Sequence, residues 1–373
     1  MTDGARIAIF VSTSGHSGVD RAMKHLVPEL VGRGYHVDVL KVRRHGPDIR
    51  FSHPRLHVID LGTRHTYSAV FAVARYLKAK RPVVMLSDKD RVNRSALAAR
   101  WLAGTATRLV FSSGTTISID LDHRGAFERW VQRNSMGKLY PYADQVIVTC
   151  AGVADDMAAY TGLERSRIRP VASPVVPDAL LEQEFPRPEH PWFEQGQPPV
   201  ILGVGEICER KGFDVLLQAF ARLRQEQPCR LMILGKGGRR EALLEQAAAL
   251  GVADDFALPG YVDNPYAYMA HARLFAMTSR WEGLGFVLIE AMAVGTPVVS
   301  TDCPSGPSEI LHGGQFGRLV AVDDVAALHH AIAETLRAPL PPAMLKAAVR
   351  PYTVSAATDA YLEAFGLPAR CAG

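Results

Sequence analysis

Ser279-Arg280-Trp281-Glu282-Gly283-Leu284-Gly285-Phe286-Val287-Leu288-Ile289-Glu290 sets two glutamates eight positions apart, with a Gly-x-Gly turn between them. From Gly285 to Val294 the small residues come first, and Val287, Leu288, Ala291 and Met292 follow at helical spacing, which predicts a helix start. Glu282 then lies on the loop before the helix, and Glu290 about a turn and a half inside it. Backbone N–H groups at such a start favour an anion, while two carboxylates beside it can accept hydrogen bonds from sugar hydroxyls. The same spacing also fits a buried helix with a solvated glutamate at each end.

On either side of this unit, strand-like and helix-like segments alternate, which argues for an α/β fold with parallel sheets. In the second half, Val200–Gly205, Arg230–Leu234, Leu274–Met277 and Pro297–Ser300 read as strands, with helices over Phe213–Leu223 and Arg239–Leu250. In the first half the strands are Arg6–Val11, His36–Val42, Leu56–Leu61, Pro82–Leu86, Arg108–Ser112 and Gln145–Thr149. Prolines crowd the segment from Pro174 to Pro199, which reads as a linker with its boundary near Asp178. Two Rossmann-like domains, 1–178 and 179–373, are therefore expected, and a last helix over about 355–366 could pack on either. Ligands of such sheets bind beyond the carboxyl ends of the strands, so two facing sheets are expected to enclose an interdomain cleft.

The 373 residues are 48% hydrophobic and 21% charged, an ordinary composition for a soluble protein. No apolar run is long enough to span a bilayer, and the start lacks a signal peptide's basic and apolar regions, so a cytoplasmic location is expected. The five cysteines are scattered, with no CxxC or Cys/His cluster to suggest zinc, and read as reduced thiols. The net charge of +4 is uneven: 26 Lys+Arg against 16 Asp+Glu through Asp178 give +10, and the remaining 16 and 22 give −6. A basic half suits an anionic membrane surface or a phosphorylated glycan, or is a solvated face. No aromatic interleaving or binding motif accompanies the charge, which argues against nucleic acid.

Several loops at strand ends carry candidate residues. In Gly205-Glu206-Ile207-Cys208-Glu209-Arg210-Lys211-Gly212, Arg210 and Lys211 stand beside a helix start, where a cation can clamp a phosphate. Gly15 and Gly18 flank a loop after the first strand and allow close backbone approach, or simply a tight turn. His16 in that loop could serve as a general base. Asp88-Lys89-Asp90 ends the fourth strand. Asp-x-Asp can hold a metal, but no supporting ligands accompany it, so no metal is expected and Asp88 is a candidate for an acceptor hydroxyl. Gly114 and Thr115, in the loop after the fifth strand, suit polar substrate contacts or an ordinary loop.

Together these residues resemble the retaining family 4 (group 1) glycosyltransferases of GT-B fold. The matching pieces run from Val200 to Val322: VILGVGEICERKGFDVLLQAF, LMILGKGG, LPGYVDNPYAYM, SRWEGLGFVLIEAMAVGTPVVSTDCPSGPSEIL and FGRLVAV. The first half matches more loosely, through SGVDRAMKHLVPELVGRGYHVDVL and ADQVIVTCAGVADDM, and Met85–Arg94 with SSGTTISIDL looks like bacterial enzymes that build lipopolysaccharide core. The resemblance implies a nucleotide diphosphate sugar held by the second domain, a UDP-sugar being favoured, and a saccharide or glycolipid acceptor held by the first. Carried over by position, it implies that Glu290 binds the ribose and Glu282 the donor sugar, while Lys211, helped by Arg210 and the strand-end Gly205, meets the diphosphate. Amides of Gly285, Phe286 and Val287 would contact phosphate or sugar. Tyr261 and Val262 would line the base pocket, and Gly15 and Gly18 would approach the phosphates. No cofactor is implied.

Three positions depart from the family pattern. Glu206 stands where an arginine is usual, Gly114 where many members have histidine, and Ser17-Gly18-Val19-Asp20 replaces Gly-Gly-x-Glu. Two other functions remain open on the sequence: a nucleotide-sugar epimerase, and a degenerate protein that binds a sugar nucleotide or glycan without catalysis.

Overall fold

The structure, a computed structural model, describes residues 4–12, 18–42, 47, 49, 51–63, 65–122 and 124–369. It divides into two compact units: the chain up to Pro177 together with the segment from Tyr352 onward, and Asp178–Pro351.

The first unit runs β1 (Arg6–Val11), α1 (Gly18–Gly32), β2 (His36–Lys41), β3 (Leu56–Asp60), α2 (Val70–Lys80), β4 (Val84–Asp88), α3 (Asp90–Ala103) and β5 (Arg108–Ser113). It continues with α4 (Ile117–Asp120), α5 (Ala126–Leu139), β6 (Gln145–Val148), α6 (Ala151–Thr161) and β7 (Ile168–Pro170). Its seven strands are parallel in the order β3-β2-β1-β4-β5-β6-β7. The central strands read as unbroken apolar runs because helices cover both faces of a parallel sheet: all of β4 is buried, and so is β1 beyond Arg6. At the edge, β3 is half-exposed, with Val58 50% accessible.

The second unit runs β8 (Val200–Val204), α7 (Phe213–Glu226), β9 (Arg230–Leu234), α8 (Arg240–Ala249), β10 (Phe256–Gly260), α9 (Pro265–His271) and β11 (Leu274–Met277). It then forms α10 (Phe286–Ala293), β12 (Val298–Thr301), α11 (Pro307–Ile310), β13 (Arg318–Val320), α12 (Val325–Arg337) and α13 (Pro342–Ala348). Its parallel sheet has the order β10-β9-β8-β11-β12-β13. Ile201, Leu216, Phe220, Leu231, Ile233, Leu274, Val299 and Ile332 are among the residues that fill its core, each worth about 1.5–3 kcal/mol when fully buried. Strand order reverses between β1 and β4 in the first sheet and between β8 and β11 in the second. Such switch points leave a crevice beyond the carboxyl ends of the strands.

The second unit ends at Pro351, and the chain from Tyr352 belongs to the first. The helix expected over 355–366 is α14 (Val354–Phe365), which packs against α1, β5 and β6 of the first unit. Backbone bonds from Val175 and Val176 to the Tyr352 carbonyl, and from Val354 to the Val176 carbonyl, tie the departing and returning chain together. Three strands were not anticipated: β7, β10 and β13. Two have three residues, and β10 carries Pro259 and Gly260 with a register shift, which an edge strand tolerates. Among the described residues no helix is long and apolar enough to cross a membrane. Cys150, Cys229 and Cys303 are buried free thiols, and Cys208 is a half-buried one.

Candidate functional site

The second sheet's switch point is built by the loops after β8 and β11. The first runs from Gly205 through a single 3-10 turn, Glu209–Lys211, to Gly212. Gly212 has φ +61°, and a Cβ there would stand 2.0 Å from the Thr278 carbonyl oxygen, so only glycine lets the two loops touch. Thr278 Oγ1 donates to the Lys211 carbonyl at 3.0 Å. At Gly205 a Cβ would approach Lys211 Cε to 3.0 Å, so the bare backbone leaves room for the lysine stem.

That stem carries Lys211 Nζ to 2.6 Å from Glu282 Oε1, and Ser279 Oγ donates to the same oxygen at 2.7 Å. Arg210 Nη1 donates to Oε2 at 2.9 Å. Side chains of Lys211 and Glu282 are only 10% and 9% exposed. Burial alone would raise the Glu282 pKa; the charges of Lys211 and Arg210 outweigh it and hold the carboxyl below its usual range. Glu282, Lys211 and Arg210, expected from the resemblance at the donor sugar and diphosphate, thus form one cluster, with Arg210, 30% exposed, on its open side. Glu282 is no solvated helix flank.

Arg280 fastens this cluster, a role the sequence did not disclose. Its backbone N–H donates to the Arg210 carbonyl at 2.7 Å, and its Nη1 to the Glu209 carbonyl at 2.6 Å. Its guanidinium also meets Asp214 at 2.8 Å and Asp323 at 2.9 Å. Burial opposes ionisation of Asp214, but Arg280 prevails and holds its pKa down. One arginine therefore ties the loop after β8 to the loop after β11.

Glu290 lies inside α10, 1% exposed. α10 is apolar nearly all round and is buried from Leu288 to Ala293. Tyr266 OH, on α9, donates to Glu290 Oε1 at 3.2 Å. Nothing in the sequence marked Tyr266, which sits among apolar residues of a short helix. Gly285, φ +94°, caps the start of α10, and Phe286 and Val287 are its half-buried first residues. Tyr261 is 64% exposed just past β10, with Lys236 Nζ 5.9 Å from its ring, and Val262 follows half-buried. Glu206 is exposed.

In the first unit Asp88 closes β4, in register with Val11 of β1 and Ser112 of β5. It is 3% exposed, and burial pushes its pKa up to about 6. Its Oδ2 has no hydrogen-bond partner among the described residues. Asp90 pairs with Arg94 at 2.7 Å. Among the described residues no group of three His, Cys, Asp or Glu side chains is placed to hold a metal. Gly114 is half-buried and Thr115 exposed; a Cβ on Gly114 would meet only Thr149 at 3.5 Å and Val19 at 3.9 Å. Gly18 opens α1. Gly15 and His16 lie outside the described residues.

Two family models match this chain: "Glycosyl transferases group 1" over residues 198–338 and "Glycosyl transferase 4-like domain" over residues 17–174. The chain belongs to the group 1 glycosyltransferases. A Campylobacter jejuni relative, N-acetylgalactosamine-N,N'-diacetylbacillosaminyl-diphospho-undecaprenol 4-alpha-N-acetylgalactosaminyltransferase, is 26% identical over 86% of this chain and 87% of its own. The Rhizobium meliloti lipopolysaccharide core biosynthesis glycosyltransferase LpsE is 35% identical over 44% of this chain and 49% of its own length. Among solved structures, the lipopolysaccharide outer core galactosyltransferase WaaB in its apo form superposes with TM-score 0.76 at 18% identity, covering 96% of this chain and 98% of its own. Anabaena HepE in complex with UDP gives 0.75 at 15% identity over 97% and 99%. The fold of this glycosyltransferase is accordingly GT-B.

Proposed function

We propose that this glycosyltransferase moves a hexose from a nucleotide diphosphate sugar, with UDP-sugars favoured, to a saccharide acceptor on lipopolysaccharide core or another lipid-linked glycan, keeping the anomeric configuration. The observation that carries this is the cluster of Arg210, Lys211 and Glu282 at the switch point of the second sheet, followed in the chain by buried Glu290 on α10. The cations meet the diphosphate, Glu290 takes the ribose hydroxyls, and Glu282 both orients Lys211 and approaches the donor sugar. Tyr261 and Val262 border the base. In the first unit, His16, Asp88, Gly114 and Thr115 serve the acceptor. The activities that name the Campylobacter and Rhizobium relatives support a lipid-linked or core-oligosaccharide acceptor. HepE, of the same fold, is seen with UDP and with UDP-glucose.

In the reaction, the bond between the sugar's anomeric carbon and the diphosphate oxygen breaks, and its electron pair leaves with the phosphate. Arg210 and Lys211 stabilise that charge. The acceptor hydroxyl oxygen bonds to the same carbon from the same face, and its proton passes to the departing phosphate oxygen. With two cations at the diphosphate, no metal is required. The enzyme works in the cytoplasm, peripheral to the inner face of the membrane.

The test is transfer of sugar from a panel of UDP-, GDP- and ADP-sugars to lipid-extracted acceptor by purified protein. Product formation with one donor, lost in Glu290→Ala, supports the reading. Conversion of the donor to its epimer without acceptor, or donor binding with neither transfer nor hydrolysis, contradicts it.

A further inference from the structure

We propose that the outer face of α5 docks this protein on an anionic lipid bilayer. Met136 is the one buried residue of that helix. Phe127 is 77% exposed and Trp130 61%, and their rings stack at 6.2 Å with an interplanar angle of 22°. Phe127, Trp130, Asn134 and Lys138 recur at helical spacing, so they share one face. Arg133 and Lys138, both exposed, join Trp130, Asn134, Gly137 and Thr161 around an open groove of about 440 Å³.

Charge accounting on this face favours a phosphate-bearing surface. Arg124 is matched by Glu128, and Arg129 approaches Asp122. Arg133 and Lys138 have no ion pair among the described residues. A solvated stacked Phe–Trp pair beside two unmatched cations is a poor design for water and a good one for a headgroup layer. There aromatic rings sit at the acyl boundary while basic side chains reach anionic headgroups. Nucleic acid would ask for a longer cationic track, and a protein partner for a broader apolar patch. The groove between Arg133 and Lys138 is where one lipid phosphate would lodge. The inference rests on the membrane-borne acceptor only for its purpose, since binding is measurable without transfer.

The experiment is sedimentation of the full chain with vesicles of phosphatidylcholine alone or mixed with phosphatidylglycerol, alongside calorimetric UDP binding. The parent is expected to sediment with the anionic vesicles. The pairs Phe127→Ser/Trp130→Ser and Arg133→Glu/Lys138→Glu should each lower partitioning at least about fivefold while UDP affinity holds. Arg75→Glu/Lys78→Glu on α2 is a charge control expected to retain most of the binding. Should a pair variant unfold, brominated lipid offers a second readout: it should quench parent tryptophan emission, and Trp130→Phe should abolish that quenching. Unchanged partitioning of both α5 pairs, equal loss in the α2 control, or full competition by soluble glycerol phosphate would each overturn the proposal. Failure of UDP binding with vesicle binding intact would instead count against the donor site.

Discussion

Lys211 Nζ and Glu282 Oε1 meet at 2.6 Å across 71 residues of sequence, both side chains nearly withdrawn from water. Neither charge is comfortable alone in that place. Breaking a buried pair by removing one partner typically costs about 3–5 kcal/mol. Lys211→Met should therefore destabilise the second unit toward the low end of that range, because Arg210 still faces Glu282. Lys211→Met/Glu282→Gln should recover part of the loss. Chemical denaturation of the two variants and the parent checks this; equal stability of all three would show that the pair is not coupled.

Gly212 and Gly114 should differ sharply on substitution. Gly212→Ala forces a Cβ against the Thr278 carbonyl at a positive φ, a conformation that costs about 1–3 kcal/mol before the clash. Gly114→Ala meets only ordinary contacts and should stay within about 0.5 kcal/mol of the parent. Thermal melting of both variants measures the contrast, and a Gly212→Ala variant that melts with the parent would refute the packing of the two loops.

Two carboxylates give opposite pH dependence. Burial raises Asp88 from 3.8 to about 6, with Asp20 adding to the rise and Ser112 and Lys89 opposing it. The folded state then binds that proton more readily than the unfolded one. Stability falls as pH climbs from about 4 to about 6, by up to about 3 kcal/mol, and stays reduced above. Asp88→Asn should flatten that fall and be more stable than the parent at pH 7. Glu282 is depressed, so its contribution is present above the ordinary glutamate pKa and is lost as pH drops through its lower folded value. Urea unfolding from pH 3.5 to 7.5 separates them; an Asp88→Asn variant with the parent's slope would contradict this assignment.

Tyr266 gives Glu290 a partner at 3.2 Å. A hydrogen bond to a charged group is worth about 1.5–3 kcal/mol, so Tyr266→Phe should weaken nucleotide binding about tenfold while leaving the unit folded. In steady-state assays the change should appear in KM for the donor, with kcat little altered. An effect confined to kcat would mean that Tyr266 acts on the chemistry rather than on Glu290.

Much of the fold was legible because parallel strands buried on both faces leave unbroken apolar runs, as β1, β4, β8 and β9 do. Short edge strands such as β10 and β13 leave no such trace. The sequence left α14 open to either unit, because its apolar spacing says that it packs, not on which core. In the site, the eight-residue interval placed Glu282 and Glu290, and the adjacent cations marked Arg210 and Lys211. What spacing could not show is that Lys211 and Arg210 spend their charge on Glu282. Arg280 and Tyr266 act through long-range contacts that no local pattern encodes.

The most direct measurement is calorimetric titration of UDP, with GDP and ADP in parallel, into the parent, Arg210→Ala and Glu290→Ala. Arg210 lies on the open side of the cluster, so its loss leaves the Lys211–Glu282 pair in place. The parent should bind one of the three nucleotides, and each variant should bind it at least about tenfold more weakly, a loss of about 1.4 kcal/mol. Parent and variants binding with the same affinity would place the donor site elsewhere.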